Sequence, residues 1–450
     1  MQYNAFKFSL EFKEMDFFRT LINCDDLASF VRDDIILNRD VLYFDWSGSG
    51  LESKAILNRM ESILPLYANI HSNHSKNARN MMDLYLEAKR NLKKHLELED
   101  SFYIIPSGYG ATSAMKRYQE IHGFYIPPKL KKLLSLNNLD SNIVLIGPYE
   151  HHSNEISLRE GICKSIRIKL NENGLIDLDF LNLVLEENKN KNLYASMNIV
   201  SNSTGIIIPY ELISKKLRKY EVNIAFDLAA SSSHMNVNSN LFDNAFLSPH
   251  KLLGGIGGCG ILCIRKELLN LELAPTFSGG GNIKYASKEN QYYIDDVESR
   301  EDYGTPPILQ LLKATLAYQY RNEIGLEYIQ NKEKVIYEIL INELKQIEGC
   351  EIYGIDNDAP HLPIISFNVN GISPYDLTYE LSYKYNIESR AGCNCNGPYG
   401  HDLLNKKAIT NMNDLNSKPS WIRLSMHYSN SLKDVEYLIQ SLKKVVKKLR

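Results

Sequence analysis

The chain has 450 residues, 44% hydrophobic and 23% charged, with a formal net charge of −3 at pH 7. That composition is that of a soluble globular protein with room for two or three domains. It gives no electrostatic case for nucleic acid or an anionic membrane as the main partner, and no apolar run reaches the roughly 18 residues a membrane span needs.

Taken in chain order, the opening MQYNAFKFSLEFKEMDFF has no continuous apolar segment and carries acidic residues, unlike a signal peptide. PSGYGATSAMKRYQEIHG (106–123) sets glycines, then Ala111 and Thr112, ahead of a helix-like run. Free N–H groups and the dipole at a helix N-terminus attract phosphate, although other N-caps look alike. NIVLIGP (142–148), LYASMNIVS (193–201), VNIAFDLA (222–229) and GILCIRKEL (260–268) read as buried strands. DLDFLNLVLEE (177–187) and YELISKKLRKY (210–220) between them read as amphipathic helices. Strands separated by helices imply right-handed crossovers and a mostly parallel sheet covered on both faces, an α/β fold.

After GTPP (304–307) two long helical stretches follow, ILQLLKATLAYQYRNEIG and KEKVIYEILINELKQI. Strand-like PIISFNVNG (363–371) and WIRLSMHY (421–428) come next, then a final helix with Val435, Leu438, Leu442, Val445 and Leu449 on one face. The expected organisation is a large domain at 41–305 and a small α+β domain at 306–450, with residues 1–40 packing on the small domain.

FLSPHKLLGGIGG (246–258) carries the clearest chemical signal. A lone lysine in a loop is ordinarily a surface residue, but Asp227 lies 24 residues before Lys251, at the end of a predicted parallel strand. In open α/β sheets that carboxyl edge is where ligands bind. A lysine to condense with an aldehyde and an aspartate to keep a pyridine nitrogen protonated suit pyridoxal 5'-phosphate. YEHHSNE (149–155) follows the strand NIVLIGP at the same edge, where a histidine can stack on the ring.

In these segments the chain resembles the class V, fold type I, pyridoxal-phosphate enzymes, within them the cysteine desulfurase and selenocysteine lyase branch. The resemblance runs from about residue 41 to 431. It implies a seven-stranded, mostly parallel sheet in the large domain and a homodimer. YFDWSGSG (43–50) resembles the family's opening substrate-side segment, and YANIHSNH (67–74) resembles N-A-N-x-H, pointing to His71 as a substrate-binding residue. GAT (110–112) is similar to the phosphate cup, with Ala111 and Thr112 as cofactor-binding residues. EHHSN (150–154) resembles E-H-H-[AS]-N, which makes His151 the ring-stacking histidine. SNSTG (201–205) points to Asn202 beside the cofactor's phenolic oxygen. SPHK resembles S-x-H-K and implies Ser248 and His250 at the phosphate and Lys251 in the Schiff base. SGGGN (278–282) resembles the loop that reaches the neighbouring subunit's phosphate through Gly280. IRLSMHYSN (422–430) resembles the segment whose arginine, here Arg423, pairs with the substrate carboxylate.

One departure stands out. The family reads D-x-A-Q where this chain has Asp227, Leu228, Ala229 and Ala230. Ala230 cannot donate the glutamine's hydrogen bond, which leaves two alternatives: an altered pKa of the lysine–cofactor imine, or compensation by one of Ser231–Ser233.

The seven cysteines, Cys24, Cys163, Cys259, Cys263, Cys350, Cys393 and Cys395, are few and scattered, which argues against a disulfide framework and for a reducing cytoplasm. SRAGCNC (389–395) resembles the desulfurase loop R-x-G-x-x-C and the R-x-G-C-x-C of molybdenum-cofactor sulfurases. Aligned on Arg390 and Gly392, the nucleophile falls on Cys395, on a loop expected to be mobile, with Cys393 the extra cysteine. A zinc site would need two further soft ligands; Cys350 and His401 are candidates, but no C-x-x-C or H-x-x-x-H occurs, so no metal is expected. The expected activity is sulfur or selenium removal from L-cysteine or L-selenocysteine, with a Cys395 persulfide passed to a sulfur acceptor. The alternative is another class V reaction, an epimerase or aminotransferase, which needs Lys251 and Asp227 but no thiol.

Overall fold

The computed structural model describes residues 16–72, 74–133, 141–355, 357–407 and 418–450. The opening stretch up to residue 15, and with it part of the expected N-terminal segment, lies outside the described residues, as does Asn73 of the histidine stretch.

Seven strands form the central sheet: β1 Phe102–Ser107, β2 Asn142–Ile146, β3 Lys164–Arg167, β4 Asn192–Asn198, β5 Asn223–Asp227, β6 Asn244–Leu247 and β7 Gly260–Arg265. Their spatial order is β1-β7-β6-β5-β4-β2-β3. Pairing is parallel from β3 across to β6. β7 runs antiparallel to both of its neighbours. The predicted runs therefore form strands, and their near-continuous Ile, Val, Ala and Phe content reflects burial on both faces. Because β1, β2, β4, β5 and β6 share one direction, the segments that follow their carboxyl ends gather along one edge.

The small domain holds four antiparallel strands, β8 Cys350–Tyr353, β9 Ile364–Val369, β10 Arg390–Gly392 and β11 Trp421–Ser425, in the order β8-β9-β11-β10. The last helix, Leu432–Leu449, starts with a capping box between Ser431 and Asp434. It buries Val435, Leu438, Leu442 and Val445 against this sheet, with Leu449 partly covered, as the periodicity predicts.

The two cores draw on segments from both sides of residue 306. The helix Ile308–Ile324 packs on Lys76–His95, and its Leu311, Leu312, Leu316 and Tyr320 belong to the larger core. Phe17 and Val31 join the same core, and the backbone N–H groups of Leu21 and Ile22 donate to Glu323. The described part of the N-terminal segment, from residue 16, thus packs on the helix Ile308–Ile324 and the larger core. Conversely, Leu42–Tyr43 pairs with Ile387–Glu388, and Phe44 lies in the small core. Periodicity reveals that a helix has an apolar face but not which core that face covers.

Candidate functional site

Lys251 closes a short helical turn, Pro249–Lys251, directly after β6, and Asp227 ends β5 beside it in the sheet. Both side chains face one cavity, together with Ala111, Thr112, His151, Asn202, Ser248, His250, Cys395 and Arg423. Ten of the twelve predicted site residues therefore converge from five strand ends and the small domain.

Burial lowers the Lys251 amine to about 8, against the pull of the Asp227 carboxylate and with help from the Arg423 charge. Asp227 is buried and raised by the same desolvation; the Ala229 N–H, 2.9 Å from its Oδ1, and Lys251 oppose that rise. A lysine whose pKa falls on folding binds fewer protons in the folded state between about 8 and an unfolded value of roughly 10.4. Stability of the cofactor-free protein is therefore expected to rise with pH through that window. Comparing urea midpoints of the parent and Lys251→Met isolates this contribution; an identical pH slope in the two proteins would contradict it.

His151 caps the helix His152–Glu160, its Nδ1 accepting from the Ser153 N–H at 3.1 Å. Burial, with the nearby Lys251 charge, lowers it to about 4, so the ring is neutral at pH 7. Opposite it, the helix Gly110–Ile121 starts at the cavity wall. The Ala111 N–H donates to Ser248 Oγ at 2.8 Å. Gly110 has φ +66°, and a Cβ there would lie 2.7 Å from the His250 ring. Only glycine lets the helix start this close to that ring. Thr112 Oγ1 lies 2.7 Å from Ser153 Oγ and bridges the two helix starts.

These residues fit pyridoxal phosphate: an amine depressed toward its neutral form, a buried carboxylate, a neutral imidazole and a glycine-cleared helix start face one space. The cavity also holds polar atoms with no protein partner among the described residues, Ser47 Oγ and Asn198 Oδ1. Of the two alternatives for the missing glutamine, compensation by a serine finds no support. Ser231 Oγ bonds back to the Leu228 carbonyl, Ser232 Oγ accepts from Tyr318, and no residue from 231–233 lines the cavity. Ala230 does line it.

The cysteine loop is held, in contrast to the mobility its composition suggests. The Asn202 amide donates to the Asn394 carbonyl at 2.8 Å and accepts from Asn396 at 3.2 Å. The His152 N–H donates to the Cys395 carbonyl at 2.8 Å, and His152 Nε2 accepts from the Gly397 N–H at 2.8 Å. Asn394 and Cys395 both take left-handed backbone, φ +52° and +58°. That turn leaves Cys395 exposed at the cavity, whereas Cys393 is half-buried and does not line it. Asn202 is thus committed to the loop.

His71 and Gly280 are the two predicted residues that do not reach this cavity. His71 Nε2 lies 2.7 Å from the Gly304 carbonyl, and a Cβ on neighbouring Gly281 would sit 2.9 Å from the His71 ring. Sequence reasoning missed Ser47, Gly48, Asn198 and Asn394 as lining residues, and used Arg390 only to set the register of the loop. The signal available for Arg390 was its position in that motif; for Ser47 and Gly48 it was the opening segment 43–50.

Among the described residues, no helix is long and apolar enough to cross a membrane, and no group of three or more His, Cys, Asp or Glu side chains is placed to hold a metal ion. A family model, Aminotransferase class-V, matches residues 42–438. The chain is 27% identical to a probable cysteine desulfurase of Pyrococcus abyssi, over 93% of this chain and 98% of that one. It is 27% identical to a cysteine desulfurase of Wigglesworthia glossinidia brevipalpis, over 68% and 71% of the two chains. Its fold is similar to the apo structure of a cysteine desulfurase from Thermococcus onnurineus, with TM-score 0.79 and 24% identity over 95% and 100% of the two chains.

Proposed function

The chain belongs to the aminotransferase class-V family, and from that membership we propose that it is a pyridoxal-phosphate-dependent cysteine desulfurase or selenocysteine lyase. One observation carries the reading: an exposed cysteine, Cys395, opens into the same cavity as Lys251, Asp227 and His151. An epimerase or aminotransferase has no use for a thiol there.

Pyridoxal phosphate, when bound, supplies an aldehyde that condenses with amines and a ring that accepts the electrons left by a departing proton. The helix start at Ala111 and Thr112, with Ser248 and His250, would hold its phosphate. Asp227 would keep its ring nitrogen protonated, and His151, neutral, would stack on the ring. Lys251 would hold the cofactor covalently at rest. The Lys251 amine, lowered to about 8, would be available when free to take the substrate's α-proton. Arg423, which lines the cavity, would take the substrate carboxylate. Cys395, as thiolate, attacks the substrate sulfur: the S–S bond forms, the substrate Cβ–S bond breaks, and its electron pair remains on Cβ, which is protonated to give alanine. The loop holds Cys395 at the cavity mouth, so the acceptor collects the persulfide sulfur there. Incubation with L-cysteine and a reductant is expected to yield sulfide and alanine in equal amounts. Racemised cysteine or a keto acid without sulfide would refute the reading.

A homodimer accounts for His71 and Gly280. They gather on one surface away from their own cavity, where a partner's cavity would meet them, and Phe277 and Tyr292 near this loop are 60% and 62% exposed. Light scattering at micromolar concentration is expected to give a dimer, and a fully active monomer would refute it. Seven free cysteines support a reducing, cytoplasmic setting.

A further inference from the structure

Arg390 on β10 stands directly opposite Arg423 on β11, a like-charge cross-strand pair. Such pairs repel and destabilise a sheet unless something neutralises them. Asp45 does so. Its carboxylate accepts from Arg390 Nε at 2.9 and 3.1 Å, from Arg390 Nη2 at 2.7 Å and from Arg423 Nη2 at 2.7 Å. Gly48 leaves the room for this contact. A Cβ there would sit 2.7 Å from Arg390 Nη2 and 2.7 and 2.8 Å from the two carboxylate oxygens. Both guanidiniums face the cavity beside Cys395, whereas Asp45 stands behind them and does not line it. Arg423 gives Nη1 to the Asn202 carbonyl at 2.9 Å. Two cations and one carboxylate leave a single net positive charge at this end of the cavity.

We propose that Asp45 sets the charge selectivity of this end of the site: by cancelling one of two facing arginines it restricts the cavity to amino acids bearing one carboxylate. A second carboxylate on the ligand finds no second uncompensated cation, and its desolvation goes unrewarded. Asp45 acts through the arginines and is a positioning residue. The assignment deepens the desulfurase reading and rests on it for the substrate, since cysteine carries one carboxylate.

The test uses cofactor-loaded protein and two unreactive probes, propionate and succinate, with binding read from the cofactor's absorbance so that no turnover is needed. The parent protein is expected to bind propionate about tenfold more tightly than succinate, a difference of about 1.4 kcal/mol. Asp45→Asn is expected to shift the ratio toward succinate by about tenfold, because one partly buried cation loses its partner. Adding Arg390→Gln to Asp45→Asn is expected to return the ratio to the parent's value, which general damage to the site would not do. A parent protein that binds succinate as tightly as propionate or more so, or an Asp45→Asn protein with an unchanged ratio, overturns the proposal. Should Asp45→Asn fail to fold, Arg390→Gln alone decides: the remaining pair is neutral, so propionate binding is expected to weaken by about tenfold, and unchanged binding overturns the proposal. Expected probe ratios in a protein that releases no sulfide from L-cysteine would sink the desulfurase reading and uphold the charge assignment.

Discussion

Cys395→Ser is expected to lower sulfide release from L-cysteine by roughly 10³-fold or more, because a serine hydroxyl cannot accept a sulfur atom as a thiolate does. The cofactor should stay bound and its absorbance unchanged. The loop's hydrogen bonds run through backbone atoms of Asn394 and Cys395 and through Asn202, His152 and Asn396, none of them through the thiol. The left-handed turn at Cys395 is as open to serine as to cysteine. Cys393→Ser should keep most activity, since Cys393 does not face the cavity. Measuring sulfide, bound cofactor and thermal midpoint on the same samples separates a nucleophile from a packing cysteine. Loss of activity in Cys393→Ser with retention in Cys395→Ser would move the nucleophile by two residues. Retention in both would remove the thiol from the mechanism, and with it the desulfurase reading.

Lys251→Ala is expected to abolish covalent attachment of the cofactor and to cut turnover by roughly 10³-fold or more. Borohydride reduction of the parent protein should fix the cofactor on one peptide containing Lys251, seen by mass spectrometry, and the variant should carry none. Two physical features single out this lysine. It is buried at the carboxyl edge of the sheet, and desolvation lowers it to about 8, which maintains a reactive neutral fraction at neutral pH. An adduct on any other lysine, or none, would sink the assignment. Asp227 keeps its hydrogen bond from the Ala229 N–H in the variant but loses the Lys251 charge, so the thermal midpoint is measured alongside.

Much of the site is legible in the order of the residues. Strand-like runs ending in Asp227, SPHK and EHH fix a carboxyl edge, because residues after parallel strands must emerge on the same side of the sheet. The glycines of 108–112 announce a close approach, and Gly110 provides it. The amphipathic last helix is equally plain, since a period of 3.6 needs no partner to be read. The fold class and the carboxyl edge therefore follow from the amino-acid order, and the family resemblance adds the rest of the twelve expected site residues, ten of which line the cavity.

Packing settles the rest, and the reason in each case is a contact between segments far apart in the chain. Residues 45 and 423 are separated by most of the protein, so no local pattern shows that Asp45 bridges Arg423 and Arg390. The glycines and asparagines of the cysteine loop suggest freedom, yet Asn202 and His152 on the large domain hold it. Helix Ile308–Ile324 follows the glycine-proline boundary but packs on the large domain, because its apolar faces find Lys76–His95. Local sequence sets what a segment prefers to be and which groups it offers; which groups meet, and hence which charges cancel and which thiol faces the cavity, is set by how distant segments pack.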